Sequence, residues 1–345
     1  MSGSIEIKIG DSFSKNALDK FVYENTNTSV FQTTEMAEVY RRNKGCTPLI
    51  LVAIHENTGE IVGSLLAKIK AEKQGFLSTY SRHSTIRGGS IFVDNEYGVE
   101  AVSRLLQHYN EIVEKDLLYS RFYPLNDTQQ IIPSFNKNGY DYGDWQNFLI
   151  NLDKSVDVIW KQLKKSRRNG VNKATKKGVT IEEIREKELI PVFYDLLQET
   201  YKNRKIQLEN ISNFEATFDI LVPKNMAKFF MAKCEGRYIA AILVLLYKGV
   251  IYDWYAGSSQ KREDLVLCPN DLIAWHVIEW GAKNSFHTFD FGGGGVPGDT
   301  SGWIDFKSQF GGKLVNYGRY TKIHQPQKLW FSEKGFRAYR KLFIR

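Results

Sequence analysis

The predicted order of secondary-structure elements occurs twice along this chain of 345 residues. In the first half, the sequence predicts a capped helix (33–45), a two-stranded hairpin (49–69) and a third strand region (78–93). An amphipathic helix (100–115) and a further strand (119–123) follow. The second half predicts the same order at residues 189–201, 227–247, 251–256, 269–284 and 288–291. This duplication predicts an α/β (α+β) fold, in which two tandem domains each contain a mixed sheet flanked by helices.

The length and composition fit two such domains. At about 150 residues per domain, the chain holds two domains rather than one. Its residues are 42% apolar and 13% aromatic, which supplies enough large side chains for two hydrophobic cores. We place the first domain at residues 1–150 and the second at residues 151–320.

The positive charge of the chain is concentrated in one segment at the boundary between these domains. The net charge is +8, and the segment from Lys161 to Lys177 holds eight basic residues and no acidic one. The remainder therefore has 39 basic residues against 39 acidic ones. We predict a basic helix over 155–177, capped by Ser155 and with Ile159 turned to the core. Two roles are open for its lysines: a solvated helix face, or contact with phosphate or another polyanion.

Other features exclude several classes of protein. The N-terminal residues alternate isoleucine with charge and lack an apolar signal core, so we expect a cytoplasmic protein. The longest uncharged apolar run, Tyr238 to Tyr247, is about half of a membrane span, so no transmembrane segment is expected. The three cysteines are far apart and the six histidines form no HExxH pattern, so we expect neither a disulfide framework nor a metal site.

The end of the chain combines aromatic and basic residues. Trp330, Phe331, Phe336, Tyr339 and Phe343 lie among six basic residues and the single acid Glu333, at spacings that include helical ones. Such a helix fits peripheral contact with an anionic membrane surface. It fits equally well a terminal helix whose aromatic face packs on the first domain.

Three motifs resemble the Fem family of non-ribosomal peptidyl transferases, which consist of two GNAT-like domains in tandem. The first is the basic stretch that begins at Leu163 (LKKSRRN), followed by ATKKGV from Ala174, and the second is Tyr201 with Arg204. The third and most specific is FDFGG from Phe289, followed by FKSQFGG from Phe306. Glu182 to Tyr201 leaves no room for the long helical hairpin of some members, so the chain resembles the shorter ones.

The resemblance implies a function and a domain arrangement. It implies an aminoacyltransferase that moves an amino acid from aminoacyl-tRNA to the peptide amine of a lipid-linked or nucleotide-linked muropeptide, in peptidoglycan bridge formation, without a cofactor. It also implies that a C-terminal helix over 321–345 returns to the first domain. Two alternatives stay open: a Fem-like N-acyltransferase that uses an acyl thioester in exopolysaccharide, lipid or amino-acid modification, and a non-catalytic binding module.

The resemblance and the chemistry together select the catalytic candidates. Aminoacyl transfer passes through a tetrahedral oxyanion and needs no nucleophilic side chain, because the substrate amine attacks directly. The family implies a lysine near the reacting ester or phosphate, and Lys307 occupies that position. For Asp290, at the end of a buried strand, two roles are open: positioning an amine, or bonding the turn at Gly292 and Gly293.

The remaining candidates would bind substrate or phosphate. Tyr201 and Arg204 are candidate ligands for precursor phosphate or sugar, or members of a helix-end salt bridge. Trp254 and Tyr255 are adjacent on one strand and should face opposite ways, and we assign Tyr255 to the cleft. Phe306, Gly292 and Gly293 complete the predicted substrate site. The predicted tRNA or phosphate ligands are Lys164, Lys165, Arg167 and Arg168.

The donor is not expected to be acetyl-coenzyme A. An ordinary GNAT enzyme binds the pyrophosphate of coenzyme A with a glycine-containing turn before its long helix. The equivalent stretch here, residues 260–269, contains no glycine, so its backbone amides could not close around a pyrophosphate in that way. The glycines at 292–295 match neither GxGxxG nor GxxxxGKT, which disfavours a nucleotide-binding loop there.

Overall fold

The structure is a computed structural model that describes residues 4–10, 12–71 and 80–332. Within these residues, the α-helices are α1 (Lys15–Glu24), α2 (Thr34–Arg42), α3 (Glu96–Val113), α4 (Ile132–Lys137), α5 (Val156–Gln162), α6 (Lys165–Lys176), α7 (Ile190–Asn203), α8 (Ile211–Leu221), α9 (Arg262–Leu265), α10 (Pro269–Lys283) and α11 (Gly302–Ser308). The strands are β1 (Ile5–Ile9), β2 (Cys46–His55), β3 (Ile61–Ala71), β4 (Arg82–Gly88), β5 (Ile91–Phe92), β6 (Tyr119–Pro124), β7 (Asp141–Gly143), β8 (Gln146–Asn151), β9 (Thr180–Glu183), β10 (Ala227–Cys234), β11 (Arg237–Tyr247), β12 (Val250–Ser258), β13 (Thr288–Asp290), β14 (Lys313–Asn316) and β15 (Arg319–Ile323). None of the helices in these residues is both long enough and apolar enough to cross a membrane.

The chain divides into two compact units, unit 1 (Met1–Asp144 and Tyr317–Arg345) and unit 2 (Trp145–Asn316). In unit 1 the strands follow the spatial order β1-β2-β3-β4-β6-β15-β7, in which only β4 and β6 run parallel. Helix α3 begins behind Asn95, whose side chain accepts a hydrogen bond from the N–H of Gly98. Its apolar stripe, which includes Leu105 and Tyr109, is buried with residues of β2, β3 and β6 in the core of this unit.

Unit 2 has its own mixed sheet, in the order β14-β8-β13-β12-β11-β10-β9. Both faces are covered, because successive side chains of a strand point to opposite sides. On one face, Phe230 and Ile242 belong to a core that also contains Ile159 of α5, Ala174 of α6 and Ile278 of α10. On the other face, helices α7 and α8 pack aromatic side chains against β10. The two mixed sheets with flanking helices confirm the predicted fold class.

Strands β12 and β13 of unit 2 pair over only three residues before they separate. Their parallel register joins Val250–Thr288, Ile251–Phe289 and Tyr252–Asp290, and ends there. β12 continues to Ser258 and stays paired with β11 on its other side. The separation leaves one edge of β12 unpaired with β13 beyond Tyr252, and it opens a cleft between the two strands.

The prediction that Trp254 and Tyr255 face opposite ways is wrong. In the β11–β12 ladder, Val244 pairs with Asp253 and Leu243 with Tyr255, so Trp254 is the extra residue of a β-bulge. A bulge interrupts the alternation of side chains that the prediction assumed. The rings of Trp254 and Tyr255 are therefore neighbours, with centroids 5.0 Å apart.

The predicted single helix over 155–177 is also wrong, because the basic segment forms two helices. α5 ends at Gln162 and α6 begins at Lys165, while Leu163 and Lys164 have extended backbone angles. Leu163 is buried in the core of unit 2, and the N–H of Lys164 donates to the carbonyl of Gln309. These two contacts turn the backbone out of the helix, and neither is visible in the local charge pattern.

Two further differences concern the helices. Helix α8 is absent from the sequence-based prediction, although its N-cap Asn210 accepts a hydrogen bond from the N–H of Ser212. The predicted helix over 321–345 starts too early, since 321–323 belong to β15, which pairs with β6 and β7. Residues 326–332 are helical, and the rest of that prediction lies outside the described residues.

Candidate active site

The cleft between β12 and β13 holds a cavity of about 350 Å³ in unit 2. Its walls come from the second half of β12, from the end of α7, from α10 and from α11. One part of the wall is apolar and includes Ile242, Ile273 and Phe291. The other part is polar, and includes Thr200, Asn203, Ser258, Gln260 and Asn270. Such a mixed lining is typical of a cavity that binds a small organic group and orients it.

Lys307 lies in the last turn of α11 and lines this cavity. Its Nζ atom donates to the carbonyl oxygen of Phe291 at 2.5 Å and to that of Gly293 at 3.0 Å. The same nitrogen is 5.1 Å from the ring centroid of Trp303. The ammonium group is therefore fixed by backbone oxygens and an aromatic face, which gives the cavity a positioned positive charge.

Asp290 shapes the glycine loop behind Lys307. It is buried, and its Oδ1 accepts hydrogen bonds at 2.6 Å from Asn147 Nδ2 and from the N–H of Gly292. The Oδ1 of Asn147 in turn accepts the N–H of Gly293 at 2.9 Å. These are the contacts of a turn-bonding residue, which is one of the two roles left open by the sequence. The loop that they hold carries a carbonyl group that anchors Lys307.

Gly292 cannot be replaced by a larger residue without moving β12. Its φ angle is +74°, in the left-handed region, and an added Cβ atom would lie 2.4 Å from the carbonyl oxygen of Asp253. The glycine loop thus touches β12 at the first residue after the paired segment, where the two strands separate. The requirement for glycine here is one of space as well as of backbone conformation.

Asp253 is a cavity-lining acid that the sequence analysis missed. Burial raises the pKa of its carboxyl group to about 6, although Lys307 and Arg204 act in the opposite direction, and Asp290 adds to the rise. The residue keeps part of its surface open to the cavity. The sequence does contain a signal for this residue, since Asp253 is an acid inside a strand of mostly apolar and aromatic residues. Desolvation makes a carboxylate costly at such a position unless it has a partner or a function.

The structure brings some of the predicted substrate residues together and separates others. Phe306, Lys307 and Arg204 line the cavity, with Arg204 exposed at the end of α7. Tyr201 and Tyr255 are not among its lining residues in the described part of the chain. Their rings lie 6.2 Å apart, and that of Tyr255 is 4.9 Å from the ring of Phe214 in α8, so they join the aromatic packing around α7 and α8.

The four predicted phosphate ligands differ in their surroundings. Arg167 forms an ion pair of 2.6 Å with Asp271 in the first turn of α10, and its guanidinium lies over the ring of Phe306. Arg168 donates to the carbonyl groups at the end of α5, which caps that helix. Lys164 and Lys165 are exposed. Lys164 and Lys165 therefore form the accessible part of the predicted phosphate surface.

Burial raises the pKa of the Asp271 carboxyl group to about 6, against the opposing effect of Arg167. The raised pKa indicates that desolvation of this carboxylate outweighs its attraction to Arg167. In the described residues, no group of three or more His, Cys, Asp and Glu side chains could hold a metal ion.

Comparisons with known proteins agree with this fold. Residues 161–307 match the family model described as an acetyltransferase (GNAT) domain, so most of unit 2 is similar to GNAT-type acyltransferase domains. Among solved structures, FemX has a TM-score of 0.70 at 19% sequence identity, over 95% of this chain and 100% of that chain. L-PGS from Bacillus licheniformis has a TM-score of 0.57 at 13% identity, over 94% and 98% of the two chains.

A tandem GNAT protein from the clavulanic acid biosynthesis pathway has a TM-score of 0.57 at 10% identity, over 93% of this chain and 99% of that one. No curated protein sequence matches the chain significantly. At these identities the structural likeness shows the fold alone. The resemblance to the tandem GNAT-like fold of the Fem type is thereby confirmed.

Proposed function

We propose that this chain is an aminoacyltransferase, which moves an amino acid from aminoacyl-tRNA to the peptide amine of a lipid-linked or nucleotide-linked muropeptide. The single observation that carries the proposal is the cavity between β12 and β13, with the Lys307 ammonium fixed in its wall. An ester carbonyl bound beside that ammonium gains negative charge when an amine attacks it. A fixed cation at this point stabilises the oxyanion at little cost of reorganisation.

The surroundings of the cavity support a tRNA donor rather than coenzyme A. The N-terminus of α10 is the place where a helix would attract a pyrophosphate, yet its first turn already holds the Asp271 carboxylate. The preceding residue, Cys268, has a φ angle of 57°, and no glycine lies between residues 260 and 269. Lys164 and Lys165, by contrast, offer exposed positive charge that suits a nucleic-acid backbone.

A lipid-linked acceptor would place the reaction at the cytoplasmic face of a membrane. The helical segment 326–332 presents two large side chains to solvent, since Trp330 is 51% exposed and Phe331 is 62% exposed. Lys328 lies two residues before Trp330, so the segment offers aromatic rings and positive charge together. This combination supports peripheral contact with an anionic membrane surface as part of the proposal.

A transfer assay tests the proposed function. Radiolabelled amino acids on total charged tRNA are incubated with a nucleotide-linked or lipid-linked muropeptide and with the wild-type protein, Lys307→Ala or Lys313→Ala. We expect label in the muropeptide with the wild-type protein, and a rate that is lower by about 100-fold or more with Lys307→Ala. Lys313, an exposed residue of β14, provides the matched control and should retain the wild-type rate.

A second candidate is an N-acyltransferase that uses an acyl thioester donor, and the match of residues 161–307 to an acetyltransferase domain favours it. The same assay separates the two. Transfer from an acyl thioester, without label from tRNA in any muropeptide, contradicts the proposed function and supports this alternative.

A further inference from the structure

Asp253 occupies the point at which β12 and β13 separate. Its neighbour Tyr252 is the last residue of β12 that pairs with β13. Its carbonyl oxygen faces Gly292, at the place where an added Cβ atom would clash. Its side chain lines the cavity in which Lys307 also lies. An acid and a fixed cation thus share one small cavity, at the narrow end of the cleft.

The carboxylate of Asp253 receives no hydrogen bond or ion pair from the part of the chain that the structure describes. The buried acids Asp290 and Asp271 of unit 2, by contrast, are satisfied: Asp290 accepts from Asn147 and Gly292, and Asp271 accepts from Arg167. Desolvation of a carboxylate that accepts no hydrogen bond is costly, and it raises the pKa of the Asp253 carboxyl group to about 6. A partner supplied by a ligand would remove this cost when the ligand binds.

The charges of the cavity match one part of an aminoacyl ester. Such an ester carries an ammonium group on the carbon next to its carbonyl carbon, so a positive charge and the oxygen that becomes negative lie a few bonds apart. Lys307 supplies the cation for that oxygen, and Asp253 supplies an anion in the same cavity. An acyl group without an amine would displace water from the Asp253 carboxylate and supply no hydrogen bond or positive charge to replace it.

We propose that Asp253 binds the α-ammonium group of the aminoacyl donor, and that it thereby selects aminoacyl over simple acyl donors. The inference rests on the proposed function, since it names the part of the donor that the site recognises. The acceptor's neutral amine forms the new C–N bond to the ester carbon, and the C–O bond to the ribose breaks. The proton that the amine loses balances the one that the ribose oxygen gains. The α-ammonium keeps its bonds and its proton throughout.

The donor's amine suits Asp253 better than the acceptor's amine does. An attacking amine has to be neutral, and a carboxylate partner would stabilise its unreactive ammonium form. The donor's amine stays charged during transfer, so the same ion pair serves the ground state and the transition state. The cavity of about 350 Å³ also holds an aminoacyl group, while a muropeptide is far larger.

A binding experiment tests the inference without requiring any transfer. The probes are non-hydrolysable amides of 3′-amino-3′-deoxyadenosine with glycine, alanine, serine and lysine, and the N-acetyl derivative of each. Calorimetry on the full chain is expected to show at least one free-amine probe that binds about 100-fold more tightly than its N-acetyl form. In Asp253→Asn this preference should fall below about tenfold. Asp195→Asn, an exposed change on α7, should retain it.

A transfer experiment then identifies which amine Asp253 contacts. Aminoacyl-tRNA and its N-acetylated form are compared as donors with the wild-type protein and with Asp253→Asn. We expect Asp253→Asn to slow transfer from the free aminoacyl donor by about 100-fold and to leave the N-acetyl donor within about threefold. Equal slowing with both donors would assign Asp253 to the acceptor amine and overturn the inference, as would equal binding of free and acetylated probes. Selective binding of the free-amine probes without transfer by the wild-type protein would contradict the proposed function alone.

Discussion

The ionised carboxylate of Asp253 destabilises the unliganded protein, and this effect depends on pH. Its pKa is raised to about 6 by burial, from an ordinary value of 3.8, so the folded state binds protons more readily than the unfolded state. Stability therefore falls as the pH rises from about 4 to about 6, and the full cost is present above that range. Lys307 and Arg204 reduce the cost, and Asp290 increases it.

Replacement of Asp253 by asparagine should therefore stabilise the protein at neutral pH. We expect the free energy of unfolding of Asp253→Asn to exceed that of the wild type by about 3 kcal/mol at pH 7.5, and by little at pH 4. Urea denaturation at both pH values measures this difference. Asp195→Asn, on the exposed face of α7, controls for the loss of one negative charge. An equal gain at both pH values would show that ionisation of Asp253 is not its cause.

At the scale of the element, the glycine loop after β13 joins the two strands of the cleft. Asp290 and Asn147 fix the loop, the loop fixes Lys307, and Gly292 touches the carbonyl of Asp253. A larger residue at Gly292 should therefore displace both Lys307 and Asp253, the two charged residues discussed above for this cavity.

Gly292 and Gly298 provide a matched pair for testing this contact. Both have left-handed φ angles, +74° and +81°, but an added Cβ atom at Gly298 meets nothing within 4 Å. Gly298→Ala should cost about 1 kcal/mol of stability, from backbone strain alone. Gly292→Ala should cost roughly 3 kcal/mol or more, because strand β12 has to move as well. Urea denaturation of the two variants gives the comparison, and equal costs would contradict the steric argument.

The sequence predicted this part of the site only in outline. The motif from Phe289 to Gly293 and the position of Lys307 were identified from resemblance, and the structure places them together. The bulge at Trp254 was missed, because no local pattern shows that one strand has an extra residue relative to its neighbour. The break of the basic helix at Leu163 was missed for a similar reason. It depends on a contact with Gln309, which lies far away in the sequence.

At the scale of the whole molecule, the repeated order of elements predicted the two mixed sheets correctly, because helical and strand periodicities are local properties. The resemblance, by contrast, predicted a helix from residue 321, whereas residues 319–323 form β15, which inserts between β6 and β7 of unit 1. Tyr320 is completely buried there, and its ring stacks on that of Phe135 with centroids 3.9 Å apart. A strand that pairs with partners about 180 and 200 residues earlier is set by those partners and not by its own sequence.

Unit 1 should depend on this late strand for its stability. Tyr320→Ala removes a buried ring and its hydrogen bond to Thr128, and should cost about 3 to 5 kcal/mol. Hydrogen exchange measured by mass spectrometry should show faster exchange in peptides of β6 and β7. Tyr23→Ala, at a tyrosine of α1 that is 71% exposed, is the control and should change little. A cost for Tyr320→Ala within 1 kcal/mol of the control would contradict the proposed dependence.

The position of β15 also sets the order in which the two units can be completed on the ribosome. All residues of unit 2, from Trp145 to Asn316, are synthesised before β15. Until β15 is synthesised, β6 and β7 of unit 1 lack the strand that pairs with both of them. At that stage every strand in the sheet of unit 2 has already been synthesised. The unit that begins first is therefore completed last, and its open strand edges are the surfaces that a nascent chain of this protein has to protect from mispairing.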